Sequence, residues 1–207
     1  MNDTWTAVHK ERRALLGDLQ GVAGERWASP SLCPGWDVHD VLAHLVDGAK
    51  TTRWSFLRDL AAARFDFDRC NATGIARARA ADPTGTLAEF SAVLDRSTTA
   101  LAPLPTRLVE VIVHAEDIRR PLGISHHYPV AAVLPALQFQ LKTSVGIGGG
   151  KQRADGLRLV ATDAAFESGS GPEVRGTALA LLLVVSGRPV ELGELVGPGA
   201  AALLAAS

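Results

Sequence analysis

Glu110, His114 and Asp117 recur at i, i+4 and i+7 within TRLVEVIVHAEDIRR (106–120). On an α-helix that spacing puts all three in one narrow stripe. Around them stand Leu108, Val109, Val111, Ile112, Val113, Ala115 and Ile118. Apolar residues thus cover well over half of the circumference, the reverse of an ordinary surface helix. The pattern predicts a helix buried on most sides, with its polar stripe pointing at an internal site. A buried carboxylate and imidazole need a partner, and a metal ion serves both. Glu-x-x-x-His sets an oxygen and a nitrogen donor one turn apart, close enough to share one ion. His44, beside the Val41/Leu45 face of another helix, is the candidate third donor. Two histidines and one glutamate leave open positions for water or substrate, and suit a divalent ion with zinc favoured. The plainer alternative is a solvent-facing Glu110/His114 pair and a hydrogen-bonded core histidine at 44. His9 and His39 read as exposed, and His126 and His127 as solvated loop residues.

The elements that must position these residues follow from periodicity and turn chemistry. A first helix is expected from Asp3 to about Glu25, with Trp5, Val8, Leu15, Leu16 and Leu19 on one side. ASPSLCPG (28–35) is a loop, after which Asp37 is a candidate N-cap with Asp40 at N3. Apolar residues at 38, 41, 42, 45, 46 and 49 fit a helical period, and the helix can run on through Ala63. Residues 64–85 read as a connection with at most a short helix. A third helix carries Leu87, Phe90, Val93, Leu94 and Leu101. Thr106 can cap a fourth that ends before Pro121, and Val130 to Thr143 form a fifth containing Pro135. GIGGG (146–150) is the linker candidate. Beyond it LRLVATD (157–163) is strand-like, SGSGP (168–172) is a turn, and Val174 to Ser186 is an apolar helix. The expected domains are 1–145, helical, and 151–207, a small α/β unit.

Composition excludes several classes of function. The chain has 207 residues, 47% hydrophobic, with 21 Lys+Arg against 22 Asp+Glu. With a net charge of −1 and no basic block, it lacks the face a nucleic-acid binder needs. Its longest apolar stretch, Ala178 to Val185, is too short to span a bilayer, so no membrane partner is expected. Two cysteines, Cys33 and Cys70, make no disulfide framework, and the start of the chain lacks a signal-peptide core. A cytoplasmic monomer or homodimer is the expectation.

LCPGWDVHDVLAHL (32–45), followed by RLVEVIVHAEDIRRPLG (107–123), resembles the mycothiol-dependent maleylpyruvate isomerase family of the DinB-like superfamily. The stretch 157–189 resembles the C-terminal region of its actinobacterial members, and only 64–105 is undistinguished. The resemblance implies a mainly α fold: a DinB-like four-helix bundle with a small α/β, sterol-carrier-like C-terminal unit. It implies His44, Glu110 and His114 as metal ligands. Asp117 then either supports a ligand or forms a salt bridge with Arg119 or Arg120. It further implies a low-molecular-weight thiol, mycothiol, as co-substrate with a small electrophile, in isomerisation or S-transfer. Arg175 is a candidate contact to that cofactor's carboxylate or sugar. The rival reading is a non-catalytic carrier of a small apolar ligand, with a structural or vestigial metal site.

Overall fold

The computed structural model describes residues 3–191 and 193–206. Its chain divides into two compact units, Met1–His126 and His127–Ser207.

The first unit is helical. Helices α1 (Asp3–Leu19), α2 (Val38–Lys50), α5 (Pro83–Ala92) and α6 (Thr106–Arg119) pack as a ring, α1 on α6 and α5, and α2 on the same two. This is the expected four-helix bundle. Two shorter helices, α3 (Arg53–Ala62) and α4 (Phe67–Ala78), lie between α2 and α5 in sequence, and α4 packs along α2. The core joins Leu15 and Leu19 of α1 to Val38, Val41, Leu42, Leu45, Val46 and Ala49 of α2, with Phe90, Ala115 and Ile118. The buried face of α2 is therefore the one its periodicity picked out.

Three expectations change here. Helix α1 stops at Leu19, because Gly21 takes a positive φ of 92°, and a 3-10 turn at Gly24–Ala28 follows. The expected long second helix breaks after Lys50. Thr52 is extended there and opens α3 with its own capping box to Ser55. Residues 64–85, read as a connection, contain the twelve-residue α4.

Asp37 caps α2 as expected. Its carboxylate accepts from the Asp40 N–H at 2.7 Å, and Asp40 accepts from the Asp37 N–H at 3.1 Å. Arg79 then bridges both carboxylates, at 2.8 Å to Asp37 and 2.7 Å to Asp40. Burial opposes the Asp37 charge, but the hydrogen bonds from Arg79 and the Asp40 N–H outweigh it and lower its pKa. A carboxyl depressed in the fold stabilises above its unfolded value of about 4 and stops doing so as pH falls through the folded value. Asp37→Ala is expected to cost about 1 kcal/mol at pH 7. The difference in melting temperature from wild type should narrow below about pH 4; a gap constant with pH would refute the charge contribution.

The second unit joins α7 (Val130–Lys142), α8 (Ala178–Val185) and α9 (Ala200–Ala205) to a four-stranded sheet. Its strands are β1 (Arg158–Ala161), β2 (Glu167–Gly169), β3 (Glu173–Gly176) and β4 (Leu195–Val196), in the order β2-β1-β3-β4. β1 runs parallel to β3, with Leu159 opposite Val174, and the two outer pairings are antiparallel. The segment expected as one helix from Val174 is thus strand first, and the helix begins after its Thr177 cap.

The boundary expected at 145–151 falls earlier, before α7, for a packing reason. Helix α7 lays its apolar face on α8, and Gln140 donates to Ser186 Oγ at 2.9 Å. GIGGG is no flexible linker. Gly149 and Gly150 are buried, and a Cβ there would stand 2.0 Å from Thr143 O and 2.3 Å from Val185 O. These glycines permit close backbone approach.

Candidate metal centre

The polar stripe of α6 meets α2 across the bundle. One ligand atom each from His44, Glu110 and His114 lies within 4.8 Å of the others. His44 Nε2 is 3.4 Å from Glu110 Oε2, and the imidazole centroids of His44 and His114 are 4.7 Å apart, edge to face. Both histidines are largely buried, with side-chain exposures of 13% and 14%, whereas Glu110 keeps 33%. Helix α6 is buried on most sides, as its apolar circumference requires.

Each side chain is set by its own element. Gly48, one turn after His44 on α2, leaves room opposite Glu110; a Cβ there would meet Glu110 Oε2 at 3.7 Å. Asp117, fully buried, faces His114 Nδ1 at 2.9 Å. A carboxylate accepts only, so this contact fixes the proton on Nδ1 and turns the Nε2 lone pair outward. Arg119 pairs with Asp18 at 2.6 Å and Arg120 with Glu116 at 3.0 Å. The Asp117 carboxylate is within hydrogen-bond reach of His114. Burial works against the Glu110 carboxylate. The hydrogen bond with His44, the Arg107 charge and the two histidines outweigh it and hold the group well below the usual carboxylate range.

Trp36, assigned a purely structural place in the loop, packs its ring 5.1 Å from that of His44 and 6.3 Å from that of His114. The loop is pinned from both sides, by Leu32 N–H donating to Asp117 O at 3.2 Å and by Val38 N–H donating to Ser29 O at 3.0 Å. His39, read as exposed, is only 3% exposed and bonds Thr86 Oγ1 through Nε2 at 2.6 Å. His126, read as solvated, contacts buried Glu11 at 2.7 Å.

His44 and Glu110 open into a pocket of about 100 Å³. Asp47, Gly48, Phe56, Phe67, Cys70 and Arg107 also line it, and most of one wall comes from α3 and α4. Burial raises the Cys70 thiol, with the Asp59 and Asp47 charges adding to it, which disfavours its thiolate. Arg77 bridges Asp47 and Asp59 at 2.6 and 3.1 Å. Sequence reasoning missed Arg107, although its place one turn before Glu110 puts it in the same stripe. Arg175 lies on β3 of the second unit, exposed and 3.3 Å from Glu173; the cluster is built wholly from the first unit.

The donor set fits a divalent ion. Two imidazoles and one ionised carboxylate converge, one imidazole oriented by a buried acid, beside an accessible pocket. No described helix is long and apolar enough to cross a membrane.

Residues 8–106 match the family described as Mycothiol maleylpyruvate isomerase N-terminal domain, a span that includes His44 and stops just short of Glu110. Two solved structures share the fold: a crystal structure of the mycothiol-dependent maleylpyruvate isomerase, and one of its histidine-to-alanine mutant. Each is 17% identical over 95% of this chain and 92% of that chain, with TM-scores of 0.68 and 0.67. No curated protein matches the chain.

Proposed function

Since the chain belongs, through its helical unit, to the mycothiol maleylpyruvate isomerase family, we propose that it is a metal-dependent enzyme using a low-molecular-weight thiol on a small electrophile. The reading is carried by the convergence of His44, Glu110 and His114 within 4.8 Å, two of them, His44 and Glu110, lining a pocket. These three residues would hold the ion, zinc being the best match to two nitrogens and one oxygen. A divalent ion there supplies positive charge that brings a thiol's pKa toward neutrality. Mycothiol, the thiol in the family's description, is the proposed co-substrate.

The chain's own residues position rather than react. Asp117 keeps the His114 proton on Nδ1, Trp36 restrains both imidazole planes, and Arg77 neutralises Asp47 and Asp59 so that a thiolate meets no free carboxylate there. The thiolate sulfur adds to an unsaturated carbon of the substrate, and the C=C bond becomes single. Rotation and elimination re-form the double bond in the other geometry and return the thiol unchanged. Retention of the new C–S bond, with a proton taken up at the neighbouring carbon, is S-transfer instead.

The test begins with elemental mass spectrometry on untagged protein purified without chelator. About one divalent ion per chain is expected, together with thiol-dependent loss of the absorbance of an α,β-unsaturated carbonyl compound. Chelator should abolish that reaction and zinc restore it. Protein with no bound ion, and no thermal stabilisation by added zinc, would leave the carrier reading in its place.

A further inference from the structure

The pocket beside the metal cluster contains an arginine that the centre itself does not use. Arg107 stands on α6 one turn before Glu110, lines the pocket, and is only 8% exposed. Of its five N–H donors, Nε alone reaches an acceptor among the described residues, Thr106 Oγ1 at 3.3 Å. Among those residues no carboxylate comes within ion-pair distance of it, and its influence on Glu110 is through space.

The neighbouring cations are differently engaged. Arg77 is held between Asp47 and Asp59. Arg12, buried behind the site, donates through Nη1 to the Arg96 and Val93 carbonyls at 2.9 and 3.3 Å. Burial and the Arg107 charge together lower the Arg12 pKa to about 10. The Arg12 and Arg107 guanidinium groups thus both act electrostatically on one carboxylate, Glu110, whose side chain lies 3.4 Å from the His44 imidazole. The open Arg107 donors are not sealed from solvent but face the pocket, where they are available to an anion. The planar guanidinium fork matches the two oxygens of a carboxylate, in a geometry a lysine cannot reproduce.

We propose that Arg107 is a carboxylate-binding residue of this pocket, seating a carboxylate of the reacting molecule one helical turn from the His44/Glu110/His114 cluster. The identity of that molecule rests on the function proposed above; the anion site rests on Arg107 itself. The carboxylate belongs either to the electrophile or to the thiol, and the two sources separate experimentally.

Calorimetric titration of zinc-loaded protein compares succinate with succinamide, and mercaptoacetate with mercaptoacetamide. Wild type should prefer the carboxylate within at least one pair. A preference in the first pair places the group on the electrophile, and one confined to the second places it on the thiol. Arg107→Gln should weaken the preferred carboxylate by about 10- to 100-fold, leave its amide unchanged, and keep its zinc. Arg107→Lys should restore part of the loss. Equal binding of acid and amide by wild type would overturn the proposal, even if the Gln variant failed to fold. So would full carboxylate affinity in Arg107→Gln, since the ion alone would then be the anchor. Titrating chelator-treated protein separates the two claims: a carboxylate preference that survives there upholds Arg107 even if the metal reading fails.

Discussion

Replacing His114 by alanine should empty the proposed metal centre while the bundle stays folded. Its imidazole is one of three donors that converge among the described residues, and two remaining ligands hold a divalent ion too weakly to survive purification. Bound ion is expected to fall from about one per chain to about none. The helix tolerates the change, since alanine is the strongest helix former and the lost side chain is partly exposed rather than sealed in the core. Without metal, the variant should therefore melt close to wild type. Zinc at 100 times its Kd should stabilise wild type by about 2.7 kcal/mol and leave His114→Ala unmoved. His126→Ala is the control, because that imidazole is engaged by Glu11 and belongs to no cluster with the other two; its ion content should match wild type. Equal metal in His114→Ala and wild type would move the centre elsewhere.

What the sequence discloses about this centre depends on whether one helix carries the signal. The stripe of α6 is legible because Glu110, His114 and Asp117 share a helix whose remaining circumference is apolar, so periodicity alone points them inward. The buried face of α2 is legible for the same reason. Helix α4 is not. Only Gly74 and Ile75 of its twelve residues are buried, too few to write a period. Its closeness to α2 also turns on an absence, as a Cβ on Gly74 would stand 2.4 Å from Asp47 Oδ2. Glycines 149 and 150 misled in the same way, since a glycine needed for close approach and one supplying flexibility are identical in sequence. Arg107 was passed over because an arginine in a first turn reads as solvated, and only its place in the stripe argues otherwise. His39 and Trp36 depend on partners far along the chain, Thr86 for one and His114 for the other. Nothing local encodes such contacts.

Asp117→Asn is the sharper test of how the centre is oriented, because it changes a charge and almost no volume. Asp117 is fully buried and faces His114 Nδ1 at 2.9 Å. As a carboxylate it requires a proton on Nδ1 and so frees Nε2 for an ion. An amide can satisfy the ring either way: its oxygen accepts from Nδ1–H, or its NH₂ donates to a bare Nδ1 and leaves the proton on Nε2, where it blocks coordination. The negative charge that makes His114 a better donor is lost as well. Zinc affinity, measured by competition with a chelating dye, is expected to fall by about 10- to 100-fold. Nitrogen NMR of the metal-free protein should show His114 moving from the Nδ1–H tautomer toward a mixture, a signature that lost packing would not produce. The fold should lose little, because the isostere also removes the cost of keeping a charge dry. An unchanged zinc affinity with an unchanged tautomer would mean that Asp117 serves only the packing of α6.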